Sequence, residues 1–244
     1  MHVEKHKVIL TGIGPGDPEL LTVKAFKAIK AADVIIYDSE QADRILDIAG
    51  ENTEIVKINK DRSIPYNEQA EQIVGLIENH YAIGEKVVRL KVGDAFLFGR
   101  GGTEALKMKS RGIDFEVIPG ITSGIAASNT KRIKISEKNE ADGVVFYMAN
   151  QKEEQSENLK SIANNLINGF TLVAYMAEGR ITQIAQDLMK YGVSSDIKVT
   201  AASNISTANE MIKSGELKEV AEREEWNRIE PQTIFYIGKY VDVI

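Results

Sequence analysis

The stretch "GIGPGDPELLT", residues 12–22, carries three glycines and two prolines in eleven positions. It follows the apolar run "KVILT" (7–11) and precedes "VKAFKAIKAAD" (23–33), whose apolar residues recur at helical spacing. A strand joined to a helix by so bare a loop leaves backbone N–H and C=O groups uncovered by side chains. The glycines fall as G-x-G-x-G, so the third stands one residue early for the dinucleotide fingerprint. No lysine followed by Ser or Thr closes the run, which excludes a Walker-type phosphate loop. By itself the loop has a tight strand-to-helix turn as its alternative reading.

Outward from this loop the chain alternates. "KVILTGI", "DVIIYD", "TEIVKI", "KVVRLKVGD" and "FEVIPG" read as strands, with helices at 22–31, 41–49, 66–80 and 102–111. Such a βαβα rhythm predicts a largely parallel sheet with crossover helices. The rhythm changes after "PGITSGIAA" (119–127), and 129–142 is polar enough to predict an exposed loop or irregular strand. Four further strands are expected in "GVVFYMA", "FTLVAYMA", "KVTAASNI" and "QTIFYIGKYVDV", with helices at 155–166, 180–191 and near 216–225. The expectation is therefore two α/β domains, 1–120 and 121–244.

Composition narrows the function classes. The chain has 244 residues, 43% of them hydrophobic, enough for one large domain or two small ones. Its longest apolar runs are five or six residues, against roughly 20 for a membrane span, and the N-terminus does not read as a secretory leader. There is no cysteine, which rules out disulfides and thiol catalysis and suits a reducing, cytoplasmic setting. The net charge of −6 argues against nucleic acid as a partner. His2, His6 and His80 lack carboxylates at ligand spacing, so no metal site is expected.

A second glycine-rich stretch, "RLKVGDAFLFGRGG" (89–102), again follows a strand, with Phe96 and Phe98 placed to anchor it and Arg100 among its glycines. Taken in order, "GIGPGDPELLT", "ADVIIYD", "RLKVGDAFLFGRGG" and "VIPGITSGIAA" resemble the tetrapyrrole methylases. The likeness continues more loosely through "TLVAYMAEGRITQIAQDLMKYG" to "PQTIFYIGKYV". Within that family the motifs are most similar to those of the members that methylate uroporphyrinogen III twice, giving precorrin-2 for sirohaem or cobalamin. The resemblance implies a two-domain α/β fold with the active-site cleft between the domains. It also implies S-adenosylmethionine as methyl donor, S-adenosylhomocysteine as product, a small tetrapyrrole as substrate and a homodimer.

Carried over position by position, the resemblance implies cofactor contacts from Pro15, from Val92, Gly93, Asp94 and Leu97, and from Thr122 and Ser123. Met176, Ile205 and Thr233 complete the set from the second half. Methyl transfer from a sulfonium to a pyrrole β-carbon needs in-line positioning and a base to take a proton as the ring becomes cationic. The resemblance puts Asp38 at the proton acceptor and Lys60 at a proton donor, and Arg100 is the candidate to grip substrate carboxylates because a guanidinium binds a carboxylate bidentately. Read from the residues alone, Asp38 has a helix N-cap as its alternative reading and Lys60 a solvated surface lysine.

Several positions depart from the family's pattern. Val92 replaces a glycine of the cofactor loop and would be strained if its φ were positive. Ala95 replaces a proline, Thr103 a glutamate, and the surroundings of Lys60 have lost most of the usual residues. "TKRIKISEK" (130–138) stands where an apolar, proline-containing segment is usual. Its Lys131, Arg132, Lys134 and Lys138 suggest either a basic flap for a polycarboxylate or a solvated loop. These changes touch the substrate side more than the cofactor side, leaving open another tetrapyrrole-intermediate methylase, a protein methylase of the diphthine type, or a relative that binds the cofactor without catalysis.

Overall fold

A computed structural model describes residues 6–59, 61, 63–149, 155–230 and 232–244. The chain divides into a unit ending at Ser123 and a unit beginning at Gly124. In the first, β1 (Val8–Gly12), β2 (Val34–Tyr37), β3 (Glu54–Lys57), β4 (Val87–Lys91) and β5 (Phe115–Ile118) form one sheet in the order β3-β2-β4-β1-β5. All its pairings are parallel. Four helices connect the strands: α1 (Val23–Lys30), α2 (Asp43–Leu46), α3 (Tyr66–Ala82) and α4 (Gly101–Ser110). Thr22 starts α1 by accepting the Ala25 N–H on its Oγ1 at 3.1 Å, as an N-cap does.

The inner strands are buried on both faces, which is why β2 reads as the unbroken run VIIY. Ile29, Ala42 and Ile45 pack against Ile35, Val88 and Leu90 on one face. On the other, Ile73, Val74 and Ile77 of α3 and Ala105 and Met108 of α4 cover Val8, Leu10, Ile36 and Val87. The chain leaves β1 for β2 on one side and leaves β4 for β5 on the other. The loops after these two neighbouring strands therefore diverge, and such a point, beyond the carboxyl ends of parallel strands, is where ligands of α/β sheets are received.

The second unit holds β6 (Val144–Met148), β7 (Thr171–Tyr175), β8 (Lys198–Ser203), β9 (Met211–Glu216) and β10 (Thr233–Gly238), ordered β6-β7-β10-β8-β9. Only β6 and β7 are parallel; the remaining pairs are antiparallel. Helices α6 (Gln155–Ile167), α7 (Ile181–Lys190) and α8 (Leu217–Glu222) supply Leu159, Ile184, Leu188 and Val220 to a core with Leu172, Val199, Phe235 and the buried Trp226.

Two elements escape the sequence reading. Strand β9, "MIKSGE", lies at the sheet edge with Met211 and Ile212 exposed, so it has no buried face to impose an alternating pattern. Helix α5 (Ser123–Thr130), "SGIAASNT", contains weak helix formers and is held by tertiary contacts. The Gly124 N–H donates to Tyr175 Oη at 3.0 Å, and Tyr236 Oη–H donates to the Gly124 carbonyl at 2.7 Å. A Cβ on Gly124 would lie 2.3 Å from Tyr175 Oη, which explains the glycine.

The basic segment after α5 is not a loose flap. Ile133 and Ala141 are buried, and bridges join Ile133 to Val243 and Glu137 to Ala141. Lys131 pairs with Glu210, and Lys134 with Glu137 beside the Tyr240 ring. Acidic neighbours within the unit thus answer two of the four positive charges.

Candidate functional site

Three strand ends of the first sheet meet backbone to backbone. Gly14 N–H donates to the Gly93 carbonyl at 3.1 Å, and Gly93 N–H returns a bond to the Gly14 carbonyl at 2.7 Å. Both glycines have positive φ, +66° and +69°. A Cβ on Gly12 would stand 2.5 Å from the Gly93 oxygen, and one on Gly120 only 2.2 Å from the same atom. What passes so close to the bare loop of residues 12–22 is first of all the chain itself. The glycines let the loops after β1, β4 and β5 converge where the connections diverge.

Asp94 fastens this junction. Its Oδ1 accepts the N–H groups of Phe96 and Leu97 at 2.8 and 3.0 Å, and its Oδ2 accepts that of Gly120 at 3.2 Å. The carboxylate is thus engaged by backbone on two loops. Pro15 is buried in the turn after β1, and Thr122 and Ser123 follow β5, half-buried. Val92 has no positive φ, so the feared strain is absent, and its side chain packs beside the core of Ile13 and Leu90. The left-handed residues of this loop are instead Phe98 and Arg100, at φ 58° and 59°.

Beside the junction lies a group of buried charges. Period two along β4 places Val87, Arg89 and Lys91 on the face covered by α3 and α4, and Val34, Ile36 and Asp38 fall on that face from β2. Arg89, fully buried, donates from Nε to Glu104 Oε2 at 2.9 Å, from Nη2 to Glu104 Oε1 at 3.1 Å, and from Nη2 to Asp38 Oδ2 at 2.9 Å. Lys91 Nζ donates to Glu104 Oε1 at 2.8 Å and lies 3.9 Å from Asp38 Oδ2. Tyr66, the first residue of α3, gives its hydroxyl proton to Glu104 Oε1 at 2.8 Å.

Two cations and two carboxylates balance, as buried charges must. Burial works against the charge on Glu104, yet Arg89 and Lys91 prevail and hold its carboxyl below the usual range. Burial, then Arg89, pushes Lys91 down against the pull of the carboxylates. Burial also disfavours the Arg89 cation, but Glu104 and Asp38 outweigh it and raise the group. Tyr66 is pushed up by burial and by Glu104.

Asp38 stands at the end of β2 as an ion-paired, nearly buried carboxylate, and Ser39 rather than Asp38 occupies the cap position of the short 3-10 helix Glu40–Ala42. Arg100 caps α4 and lays its guanidinium 4.6 Å from the centre of the Tyr66 ring. Lys60 lies outside the described residues. Sequence reasoning missed Arg89, Lys91, Glu104 and Tyr66. The available signal was two charges at alternate positions of "KVVRLKVGD", because a strand with neighbours on both sides holds charges only when they are paired.

In the second unit Met176, Ile205 and Thr233 gather at one end of the sheet, since β7 and β8 finish where the antiparallel β10 begins: Tyr175 is opposite Ile234, and Ser203 opposite Thr233. Met176 is exposed and left-handed, φ 54°, while Asn204 and Ser206 flanking Ile205 and Gln232 before Thr233 also have positive φ. Ile205 is buried. Thr233 Oγ1 lies 2.6 Å from Ser203 Oγ and donates to the Glu230 carbonyl at 2.6 Å, and its N–H donates to Glu178.

The profile of a family described as Tetrapyrrole (Corrin/Porphyrin) Methylases matches residues 7–221. The chain is 33% identical over 239 residues to the uroporphyrinogen-III C-methyltransferase of Methanocaldococcus jannaschii, covering 98% of each protein. It is 34% identical over 238 residues to the S-adenosyl-L-methionine-dependent uroporphyrinogen III methyltransferase of Methanosarcina barkeri, covering 96% of this chain and 92% of the relative. Among solved structures, uroporphyrin-III C-methyl transferase from Thermus thermophilus complexed with S-adenyl homocysteine matches with a TM-score of 0.76 at 30% identity, covering 97% of this chain and 93% of that one. With a family profile spanning most of its length and relatives alike from end to end, this chain belongs to the tetrapyrrole methylase family.

Proposed function

We propose that the protein is an S-adenosylmethionine-dependent C-methyltransferase that converts uroporphyrinogen III to precorrin-2 by two successive methyl transfers. The observation that carries this reading is the end-to-end likeness to the Methanocaldococcus jannaschii enzyme. The backbone supports the cofactor. Among the described residues eight non-glycines have positive φ, and six of them (Phe98, Arg100, Met176, Asn204, Ser206 and Gln232) are at, beside or within three residues of an expected contact: Leu97, Met176, Ile205 or Thr233. Backbone held in sparse regions concentrates where ligands are clamped. Pro15, Val92, Gly93, Asp94, Leu97, Thr122, Ser123, Met176, Ile205 and Thr233 are proposed to hold the cofactor, Ile205 and Thr233 through main-chain groups.

The cofactor supplies a methyl group activated on a sulfonium. On the protein side, Asp38 accepts the proton that the ring loses after carbon attack. Its pairing with Arg89 fixes the direction of the carboxylate. Arg100 binds substrate carboxylates, and Lys60 serves as proton donor. Incubation of labelled S-adenosylmethionine with uroporphyrinogen III made in situ tests the reading: the product should gain two methyl groups, and unchanged tetrapyrrole would overturn it.

We also propose a cytoplasmic homodimer. The lack of cysteine supports the location, and the exposed Met211 and Ile212 on an edge strand support self-association. Among the described residues no helix is long and apolar enough to cross a membrane. Light scattering giving a 27.0 kDa particle at micromolar concentration would contradict the dimer.

A further inference from the structure

We infer that Tyr66 is a substrate-positioning residue: its ring is the platform that aims the Arg100 guanidinium at a carboxylate of the tetrapyrrole. The inference rests on the proposed function of Arg100 and adds to it a residue outside the glycine stretches.

Arg100 has a left-handed backbone at the entry to α4, and its residue is exposed. A long exposed cation gains little from a distant partner unless its direction is fixed beforehand. The Tyr66 ring supplies that direction, with the guanidinium 4.6 Å from its centroid, inside the range of a cation–π contact. Tyr66 is itself fixed twice. Helix α3 begins at this residue, directly after Pro65, and the hydroxyl donates to Glu104 Oε1 at 2.8 Å while lying 3.3 Å from the Arg100 carbonyl. One side chain therefore spans from the buried charges of Arg89, Lys91 and Glu104 to the exposed cation. Glu104 keeps three charge-assisted bonds without the hydroxyl, so the ring carries the function and the hydroxyl tunes its placement.

The test titrates uroporphyrin, the stable oxidised octacarboxylate, into the full-length protein by absorption and S-adenosylhomocysteine by calorimetry. Tyr66→Leu should weaken uroporphyrin binding about ten-fold, whereas Tyr66→Phe, which keeps the ring, should stay within about two-fold of wild type. In an Arg100→Ala background, Tyr66→Leu should add no further loss, because the residue acts through the guanidinium. S-adenosylhomocysteine affinity should be unchanged throughout. The inference is overturned if Leu binds like wild type, if Phe is as weak as Leu, or if the Leu loss persists without Arg100. A parallel loss of S-adenosylhomocysteine affinity would also overturn it. Wild-type turnover of uroporphyrinogen III judges the proposed function separately, since these titrations need no methyl transfer.

Discussion

The two sheets of this chain finish their strands in different chemistry. At the strand ends of the first, full charges are buried together: Arg89 and Lys91 against Asp38 and Glu104. At the corresponding end of the second, the buried partners are mostly neutral, Ser203 with Thr233 and Tyr175 and Tyr236 with the backbone of Gly124. A neutral hydroxyl pair stabilises modestly and orients a loop. A balanced set of buried charges adds little net stability but fixes the direction of each member. The comparison teaches that the first sheet orients its carboxylates with buried cations, and the second holds backbone in place with neutral groups.

The largest expected effect comes from unbalancing the charged end. Arg89→Met leaves Glu104 and Asp38 facing only Lys91 and should cost about 3–5 kcal/mol in chemical denaturation. A loss below about 1 kcal/mol would break the contrast between the sheets. Next is Gly120→Ala, whose Cβ would sit 2.2 Å from the Gly93 carbonyl oxygen. The junction must then open, at about 1–3 kcal/mol, and S-adenosylhomocysteine affinity should fall with it.

Acid should separate the sheets as well. The folded-state pKa of Glu104 is depressed below its ordinary 4.5, so its contribution is present above that value and lost as pH falls through the lower folded one. Glu104→Gln should therefore flatten the acid limb of stability below pH 4.5, by at most about 1.4 kcal/mol per pH unit. A limb unchanged by the substitution would mean Glu104 titrates normally. The smallest effect belongs to the neutral end. Thr233→Val removes the bonds to Ser203 and Glu230 and should cost about 1 kcal/mol, with no change in the acid limb.

The first sheet was legible because parallel strands buried on both faces write themselves as apolar runs. Its five strands and four helices lie where alternation puts them. Strand β9 was not legible, since an exposed edge needs no pattern, and α5 was not, since Gly124 is helical on account of two distant tyrosines. The glycines of residues 12–22 gave away the junction but not what fills it: their immediate reason is the Gly93 and Gly120 backbone. The charged network was half visible. Arg89 and Lys91 announced themselves inside a strand, whereas Glu104 and Tyr66 lie 13 and 25 residues from Lys91 and meet it only through the packing of α3 and α4 on the sheet. Pairing across such distances leaves no local trace.

In the proposed function the charged strand ends of the first sheet carry the chemistry, while loops of both units hold the cofactor. Asp38→Asn tests it most directly, assayed for methyl transfer to uroporphyrinogen III and titrated with S-adenosylhomocysteine on the same preparation. Loss of a general base should lower kcat by about 100-fold or more, with the S-adenosylhomocysteine dissociation constant within about three-fold of wild type. An Asp38→Asn protein that methylates at the wild-type rate, or that loses turnover only because it no longer binds S-adenosylhomocysteine, would contradict the claim.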